Sequence, residues 1–157
     1  MSDSAPATSE EPAAPRRGSR RVARRAALQA VYQWLVSATE SGDLFRQFQS
    51  AGHLKGADGD YFRALVSGVM ADPDGLEALI APYLDRQPEH LDPVERSLLL
   101  LAVFELRQRL EVPYRVVINE ALELAKQFGA EAGHRYVNGV LDRCARELRP
   151  AEAAARG

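Results

Sequence analysis

The residues best suited to bind a ligand are six arginines near the N-terminus, at positions 16, 17, 20, 21, 24 and 25, with no acidic residue among them. A guanidinium is a flat, permanently charged fork, so it suits paired hydrogen bonds to phosphate and stacking on bases better than a lysine ammonium does. A charge run is often only a solvated helix face, but the exclusive use of arginine favours nucleic acid as the ligand. This arginine arm consists of Arg16, Arg17, Arg20, Arg21, Arg24 and Arg25.

The arm is a local cationic cluster on an otherwise acidic chain. From residue 26 onward 14 basic residues oppose 19 acidic ones, and the 157-residue chain has a formal net charge of −2. Because the field of such a cluster decays within about 10 Å at ordinary salt, we expect an anionic partner that is met at one place. Tyr136, beside His134 and Arg135, is the aromatic residue best placed by sequence to stack on a base, although a core position explains it equally well.

Signatures of catalytic sites are missing from the sequence. It has no P-loop, GxGxxG, GxSxG, HExxH or CxxC motif, so nothing supports a phosphate cradle, a dinucleotide turn, a nucleophile elbow or a thiol metal clamp. The single cysteine, Cys144, falls on the apolar face of a predicted helix and is interpreted as a small core residue. We expect neither enzymatic activity nor a cofactor.

Two acidic patterns have a plain structural interpretation. Glu131 and His134 have the Glu-x-x-His spacing of helical di-iron sites, but such sites need two copies and two further glutamates, so no metal is predicted. Glu120 and Glu123 lie one turn apart and could pair for acid–base chemistry, but Lys126 follows at the spacing of an i, i+3 ion pair. A salt-bridged helix face is the preferred interpretation.

Helical periodicity dominates the chain. Apolar residues at 28, 31, 32 and 35 follow helical spacing behind Ser19, a predicted N-cap, so the arm continues into the first helix. Asp92 with Pro93 directly after it is a strong helix start, and the unbroken apolar run 98–104 predicts a central helix wrapped by others. Gly139, inside the last helix, is interpreted as a point of close helix contact. The pattern predicts an all-α fold of about seven helices.

The composition divides the chain into one domain and two tails. Residues 1–18 are expected to be a disordered tail leading into the arm, because they hold too little apolar area to order themselves. Residues 19–149 form the predicted domain, and 150–157 a second disordered tail after a proline that stops the last helix. With no signal peptide, no run near the roughly 18 apolar residues of a membrane span and one cysteine, a cytoplasmic protein is expected.

Three stretches of the sequence resemble the NusB family of bacterial transcription antitermination factors. They are VPYRVVINEALELAKQFG at 112–129, HRYVNGVLDRCARELRP at 134–150 and RRVARRAALQAVYQW at 20–34, with DYFRALVSGV at 60–69 and APYLDR at 81–86 between them in the family's order. The resemblance implies two small helical bundles packed across each other, which agrees with the helix count from periodicity.

The resemblance also implies a non-enzymatic function. This is binding of the boxA element of ribosomal RNA leaders together with the ribosomal protein NusE, in an antitermination complex with RNA polymerase and other Nus factors. The family's arginine-rich N-terminus maps onto Arg20, Arg21, Arg24 and Arg25, with Arg16 and Arg17 as an extension. Further RNA contacts are implied near the start of the last helix, next to the arm, and on the helix before it. They are Lys126, His134, Arg135, Tyr136 and Asn138.

For the NusE contact, the resemblance points to the face that carries Tyr32 and Glu95. Glu95 is also the third residue of its predicted helix, so it can cap that helix and meet a basic partner. The sequence departs from the family at Leu100, where relatives commonly have arginine, and at Phe104, where they have tyrosine. These two changes alter what the central helix can contact.

Two alternative functions stay open. The same helical domain occurs at the N-terminus of ribosomal RNA cytosine methyltransferases, which need a further domain for S-adenosylmethionine; the seven residues after Pro150 and the lack of a glycine-rich turn make this the weaker expectation. A helical adaptor that binds only proteins would use the arginines for solubility. It predicts little affinity for RNA and little dependence on salt.

Overall fold

Eight α-helices make up most of the described chain, which in this computed structural model comprises residues 18–128 and 133–156. Two 3-10 turns, Ala81–Tyr83 and Pro88–His90, lie between the fourth and fifth helices, and no strand occurs within the described ranges. The all-α prediction is confirmed. The helices are α1 (Arg20–Ser37), α2 (Ser41–Ser50), α3 (Gly59–Ala71), α4 (Pro73–Ile80), α5 (Pro93–Gln108), α6 (Tyr114–Gln127), α7 (His134–Leu148) and α8 (Pro150–Arg156).

Side-chain caps fix the starts of the helices where the sequence predicted them. The Ser19 hydroxyl accepts the N–H of Val22 at 3.0 Å, which begins α1. The Asp92 carboxylate accepts the N–H groups of Val94 and Glu95 at 3.1 and 3.3 Å, which begins α5. Each cap satisfies backbone donors that have no partner within the helix. Both predicted N-caps are confirmed.

Helix α5 is the central helix, as its apolar run predicted. Every residue from 97 to 106 is buried, and α1, α3, α4, α6 and α7 all pack on it. An N-terminal group of α1 to α3 and a C-terminal group of α5 to α7 meet where α1 and α3 lie on α5. A helix buried on every side stays in place because all of its faces gain from burial.

The close helix contact lies at a different glycine from the one that the sequence suggested. A Cβ on Gly139 would meet no atom within 4 Å, so the interpretation of that residue is wrong. A Cβ on Gly68 of α3 would lie 2.1 Å from the ring of Phe104 on α5. Gly68 therefore makes room for the aromatic ring that this chain carries at 104.

The predicted C-terminal tail is also corrected, because Pro150–Arg156 forms α8. Pro150 is the first residue of this helix, where proline is well tolerated. The Glu152 carboxylate accepts the Tyr114 N–H at 2.9 Å and pairs with the Arg149 guanidinium at 2.7 Å. These bonds fix α8 to the start of α6. Pro150 predicted the end of α7 correctly but gave no sign of the helix that follows it.

Arg149 joins the end of α7 to the end of α5. Its side chain is buried, and its guanidinium donates to four main-chain carbonyls at 2.8 to 3.2 Å. These carbonyls belong to Glu105, Leu106, Val112 and Arg109. One cation thus adds donors to carbonyls at the end of α5 and in the turn after it, two of which, those of Glu105 and Arg109, also accept a main-chain N–H.

Within the described ranges, no helix is both long and apolar enough to cross a membrane. Residues 1–17 of the predicted N-terminal tail lie outside the described residues, so that boundary stays a prediction.

Candidate nucleic-acid interface

The described part of the arginine arm forms the first turns of α1. Arg20, Arg21, Arg24 and Arg25 lie there, whereas Arg16 and Arg17 lie outside the described residues. The chain enters the helix along the loop before α3. The Ser19 N–H donates to the Gly56 carbonyl at 2.9 Å, and the Asp58 N–H donates to the Ser19 carbonyl at 3.0 Å. These two bonds set the direction in which the arm begins.

Arg24, which was predicted to contact RNA, is buried in the structure. It is only 7% exposed, and its guanidinium faces Glu105 of α5. Its Nε donates to both carboxylate oxygens at 3.0 and 3.2 Å, and its Nη2 donates at 2.8 Å. The Tyr61 hydroxyl donates to the same carboxylate. A buried arginine that is hydrogen-bonded to both oxygens of a carboxylate stabilises the fold, and a phosphate in solution cannot reach it.

The sequence carried a signal for the burial of Arg24. Leu28 and Val31 follow it at i+4 and i+7, and both are fully buried, so Arg24 continues their face by one turn. Its partner Glu105 lies 81 positions away, beyond the reach of any local pattern.

Arg20 borders the surface above this buried pair. Its guanidinium lies 4.2 Å from the centre of the Tyr61 ring, and the Arg109 guanidinium lies 4.9 Å from the same centre. Asp58 and Glu111 approach Arg20 at 3.8 and 3.6 Å, too far for hydrogen bonds. Arg20 therefore keeps part of its side chain in solvent and has weak ionic partners.

Arg21 and Arg25 lie side by side over α6. Arg21 makes a two-bond fork with Glu120, with Nε to Oε1 at 3.1 Å and Nη2 to Oε2 at 2.7 Å. This contact raises the pKa of the Arg21 guanidinium. Arg25 is exposed, and within the described ranges no carboxylate forms an ion pair with it. Both arginines line a shallow hollow whose far side is formed by Glu123 and Gln127.

Lys126 lies on the same helix, exposed, with its ammonium 3.8 Å from Glu123. This confirms the interpretation of α6 as a salt-bridged face. The face also carries the carboxylate that holds Arg21, so the arm lies against acidic side chains that its sequence spacing did not reveal.

The predicted RNA contacts at the start of α7 are grouped around Tyr136. Arg135 and Asn138 are exposed, and His134 and Tyr136 are half-buried. The Tyr136 hydroxyl accepts the N–H of Asp85 at 3.1 Å. This hydrogen bond fixes the ring at the surface of the C-terminal group, with part of it packed against the core. The adjacency of these residues to the arm stays a prediction.

Arg86 is a residue of this surface that sequence reasoning missed. Its guanidinium lies 5.2 Å from the centre of the Tyr136 ring, and its Nε and Nη2 bond to both oxygens of Asp85 at 2.6 and 2.9 Å. The APYLDR stretch was noted only for its family resemblance. No spacing rule connects residue 86 to a ring 50 positions further on.

Tyr32 lies on a second surface, at an apolar hollow of about 490 Å³. Tyr32 is 40% exposed and Val36 is 58% exposed, which is unusual for large apolar side chains on adjacent turns. The other apolar lining residues come from α1, α2, the start of α5 and the end of α6. They are Leu28, Phe48, Val94 and Phe128.

Glu95 follows the lining residue Val94 at the start of α5 but is not itself among the residues that line the hollow. The Glu95 carboxylate lies against Gly133, where a Cβ would come within 1.8 Å of Oε2. Burial, and then the nearby Asp92 carboxylate, raise the pKa of Glu95, while Arg86 opposes that rise. A half-buried carboxylate held in this way gains from a cationic partner.

The remaining chemical candidates are the acidic and histidine residues and Cys144. Among the described residues, no three His, Cys, Asp or Glu side chains are grouped so that they could hold a metal, and Glu131 lies outside those residues. Cys144 is buried, and burial raises the pKa of its thiol to about 12. Its interpretation as a core residue is confirmed.

Comparison with known proteins gives consistent matches over the described domain. The sequence profile of the NusB family matches residues 21–146. The chain is 51% identical over 136 residues to the transcription antitermination protein NusB of Hahella chejuensis, covering 87% of this chain and 91% of that protein. It is 52% identical over 131 residues to the NusB of Stenotrophomonas maltophilia, covering 83% and 82%.

Solved structures agree with these matches. The fold is similar to NusB of T. maritima with a TM-score of 0.75 and 31% identity, covering 87% of this chain and 97% of that one. It is also similar to a chain from a crystal structure of the antitermination factors NusB and NusE in complex with dsRNA. There the TM-score is 0.74 with 26% identity, covering 82% of this chain and 96% of that chain.

Proposed function

This chain belongs to the NusB family of transcription antitermination proteins, and on that premise we propose that it binds boxA-type RNA of ribosomal RNA leaders together with NusE. The observation that carries the proposal is the likeness to a chain solved with NusE and dsRNA, which extends over 82% of this chain. The function is assembly of an antitermination complex and involves no catalytic step. RNA polymerase and the other Nus factors are the further proposed partners, and the cytoplasm, where transcription of these leaders takes place in bacteria, is the proposed location.

The proposed RNA surface begins with the exposed arginines of α1. Arg20, Arg21 and Arg25 present guanidinium groups to solvent at the start of the helix, and Arg16 and Arg17 extend the same charge toward the N-terminus. Arginine binds phosphate through paired, charge-assisted hydrogen bonds, which supports a role in holding the RNA backbone. Arg24 is left out of this surface because it is buried.

The start of α7 supplies the other part of the proposed RNA surface. Arg135 and Asn138 are exposed, and the half-buried Tyr136 and His134 keep part of their surface open. Single-stranded RNA is commonly bound by stacking of unpaired bases on such rings and by polar contacts to base edges. Lys126 on α6 is a further candidate for a phosphate, since its partner Glu123 is 3.8 Å away and exposed.

The proposed NusE surface is the apolar hollow that Tyr32 lines. Large exposed apolar side chains suit a protein partner that buries them. A nearby carboxylate suits a partner that carries a cationic side chain. Tyr32 provides an aromatic anchor in the hollow, and Glu95, which follows the lining residue Val94 in sequence, provides the charge.

Calorimetric titration of NusE into single variants tests this surface. Tyr32→Ala is expected to weaken NusE binding at least tenfold, as for a central aromatic anchor, and Glu95→Gln by a smaller factor. Leu110→Ala is the matched control, because Leu110 is 66% exposed but lies on the loop after α5. Unchanged NusE affinity in Tyr32→Ala, with Leu110→Ala also unchanged, would remove this surface from the proposal.

A further inference from the structure

The contact between Arg21 of α1 and Glu120 of α6 differs from the other contacts of the arginine arm. Arg21 is the only described arm residue that is both largely exposed, with 70% of its side chain in solvent, and held by a two-bond carboxylate fork. Glu120 below it is 13% exposed. The arginine therefore covers the carboxylate while its own outer face remains open to solvent.

The other arm arginines lack this combination. Arg24 is forked to Glu105 but buried, so an incoming anion cannot reach it. Arg20 is accessible, but its carboxylates lie at 3.6 and 3.8 Å and make no hydrogen bonds. Arg25 is exposed and without an ion-pair partner among the described residues.

A carboxylate fork uses the same donors that bind a phosphate. The Nε–H and one Nη2–H of Arg21 point to the two oxygens of Glu120, and two oxygens of a phosphate accept the same pair of donors in a bidentate contact. A phosphate that instead approached the free edge of this guanidinium would lie close to the Glu120 charge and be repelled by it. In both arrangements the Glu120 carboxylate lowers the affinity of Arg21 for a phosphate.

We propose that Glu120 competes with RNA phosphate for Arg21 and thereby restrains the affinity of the arginine arm for RNA. This inference rests on the proposed RNA-binding function and adds a residue that tunes it. When RNA binds, the guanidinium exchanges a carboxylate for a phosphate, and Glu120 is left to take up a cation from solution. Arg25 needs no such exchange and is open to RNA from the start.

Salt dependence gives a signature of this exchange. A phosphate neutralised by a free arginine releases counterions and adds about 0.7 to the slope of log K against log salt for single-stranded RNA. At Arg21 the uptake of a cation by Glu120 offsets that release. Removing the Glu120 charge is therefore expected to tighten RNA binding and to steepen the salt slope.

The test compares Glu120→Gln with Glu123→Gln in titrations of a labelled boxA-like RNA at several salt concentrations. Glu123→Gln is the matched control. It removes the same charge one turn along α6, from a carboxylate that makes no hydrogen bond to Arg21 and lies 3.8 Å from the Lys126 ammonium. We expect Glu120→Gln to bind about three- to fivefold more tightly, the upper part of the range of an exposed ion pair, with a slope steeper by up to about 0.7. Glu123→Gln is expected to change affinity less than twofold.

A second comparison replaces the two exposed arginines themselves. Because Arg21 must give up a partner before it meets a phosphate, Arg21→Ala is expected to cost less RNA affinity than Arg25→Ala. In the Arg21→Ala background, Glu120→Gln should then tighten binding no more than Glu123→Gln does. Circular dichroism of each variant confirms that it is folded.

Three results would overturn the inference. They are equal or weaker RNA binding by folded Glu120→Gln, equal tightening by both glutamine variants, and a loss for Arg21→Ala as large as that for Arg25→Ala. If these occur while the wild-type chain binds boxA RNA, the proposed function stands and only the exchange fails. If the wild-type chain binds no RNA at low salt, both fail.

Discussion

Arg24 of α1 and Glu105 of α5 form a buried ion pair in which the guanidinium Nε and Nη2 reach both carboxylate oxygens at 2.8 to 3.2 Å. The pair joins the first helix of the N-terminal group to the central helix. The Tyr61 hydroxyl from α3 donates to the same carboxylate, so three helices meet at one charge. An arginine within a basic, exposed segment of sequence therefore serves the fold, while its neighbours on either side remain open to a ligand.

Replacing Arg24 is expected to cost stability. Arg24→Ala leaves Glu105 buried without its cation, and breaking such a pair from one side costs about 3–5 kcal/mol in the free energy of unfolding. Arg25→Ala, an exposed change one residue on, is expected to stay within about 0.5 kcal/mol of the wild type. Urea denaturation followed by circular dichroism measures both. Equal stability of the two variants would contradict the assignment of Arg24 to the fold.

Replacing Arg25 is expected to affect RNA binding alone. Arg25 is exposed and free of carboxylate partners among the described residues, so its loss removes one phosphate contact. The slope of log K against log salt should become shallower by about 0.7 in RNA titrations of Arg25→Ala. Arg143→Ala, an exposed arginine in the second half of α7, provides the control. A slope unchanged in Arg25→Ala, or reduced equally in Arg143→Ala, would argue against Arg25 as a phosphate contact.

Replacing Arg149 is expected to loosen the C-terminal helices. Arg149→Ala removes the shared donor of four main-chain carbonyls, three of them in buried contacts, and the ion pair with Glu152, so a loss of more than about 2 kcal/mol is expected in urea denaturation. Arg149→Lys should fall between alanine and wild type, because an ammonium cannot span acceptors spread along the guanidinium. The exposed Arg146→Ala serves as the reference, and an Arg149→Ala variant of the same stability would contradict this role.

Cys144 is expected to be protected from alkylation in the folded protein. Burial raises its thiol pKa to about 12, so the reactive thiolate is scarce at pH 8 and the sulfur is covered. Mass spectrometry should find little iodoacetamide adduct in native protein and full modification in urea. Because the folded pKa lies above the unfolded one, this thiol favours the fold below about pH 9, and that contribution is lost as the pH rises toward 12. Rapid modification of native protein would show that Cys144 is not a core residue.

Local sequence patterns predicted the features of this fold that depend on local chemistry. The caps at Ser19 and Asp92 use a side chain three residues or fewer from the backbone groups that it binds. The apolar run on α5 predicts burial directly, because apolar residues cover every face of that helix. The Arg21–Glu120 fork, in contrast, spans 99 positions and exists only because the fold brings the start of α1 beside α6. The helix α8 depends in the same way on Glu152 reaching the N–H of Tyr114, 38 positions away. Such long-range contacts decide which arginines of the arm are free.

The most direct measurement is fluorescence anisotropy of a short labelled boxA-like RNA and of a scrambled control, titrated with this protein alone and with NusE at two salt concentrations. The proposed function predicts tighter binding of the boxA-like RNA, strengthened by NusE and weakened by salt. Equal binding of both RNAs, unaffected by NusE, would contradict the role as an antitermination factor and leave a non-specific RNA-binding domain. Binding of NusE without binding of either RNA would instead indicate a helical adaptor for proteins.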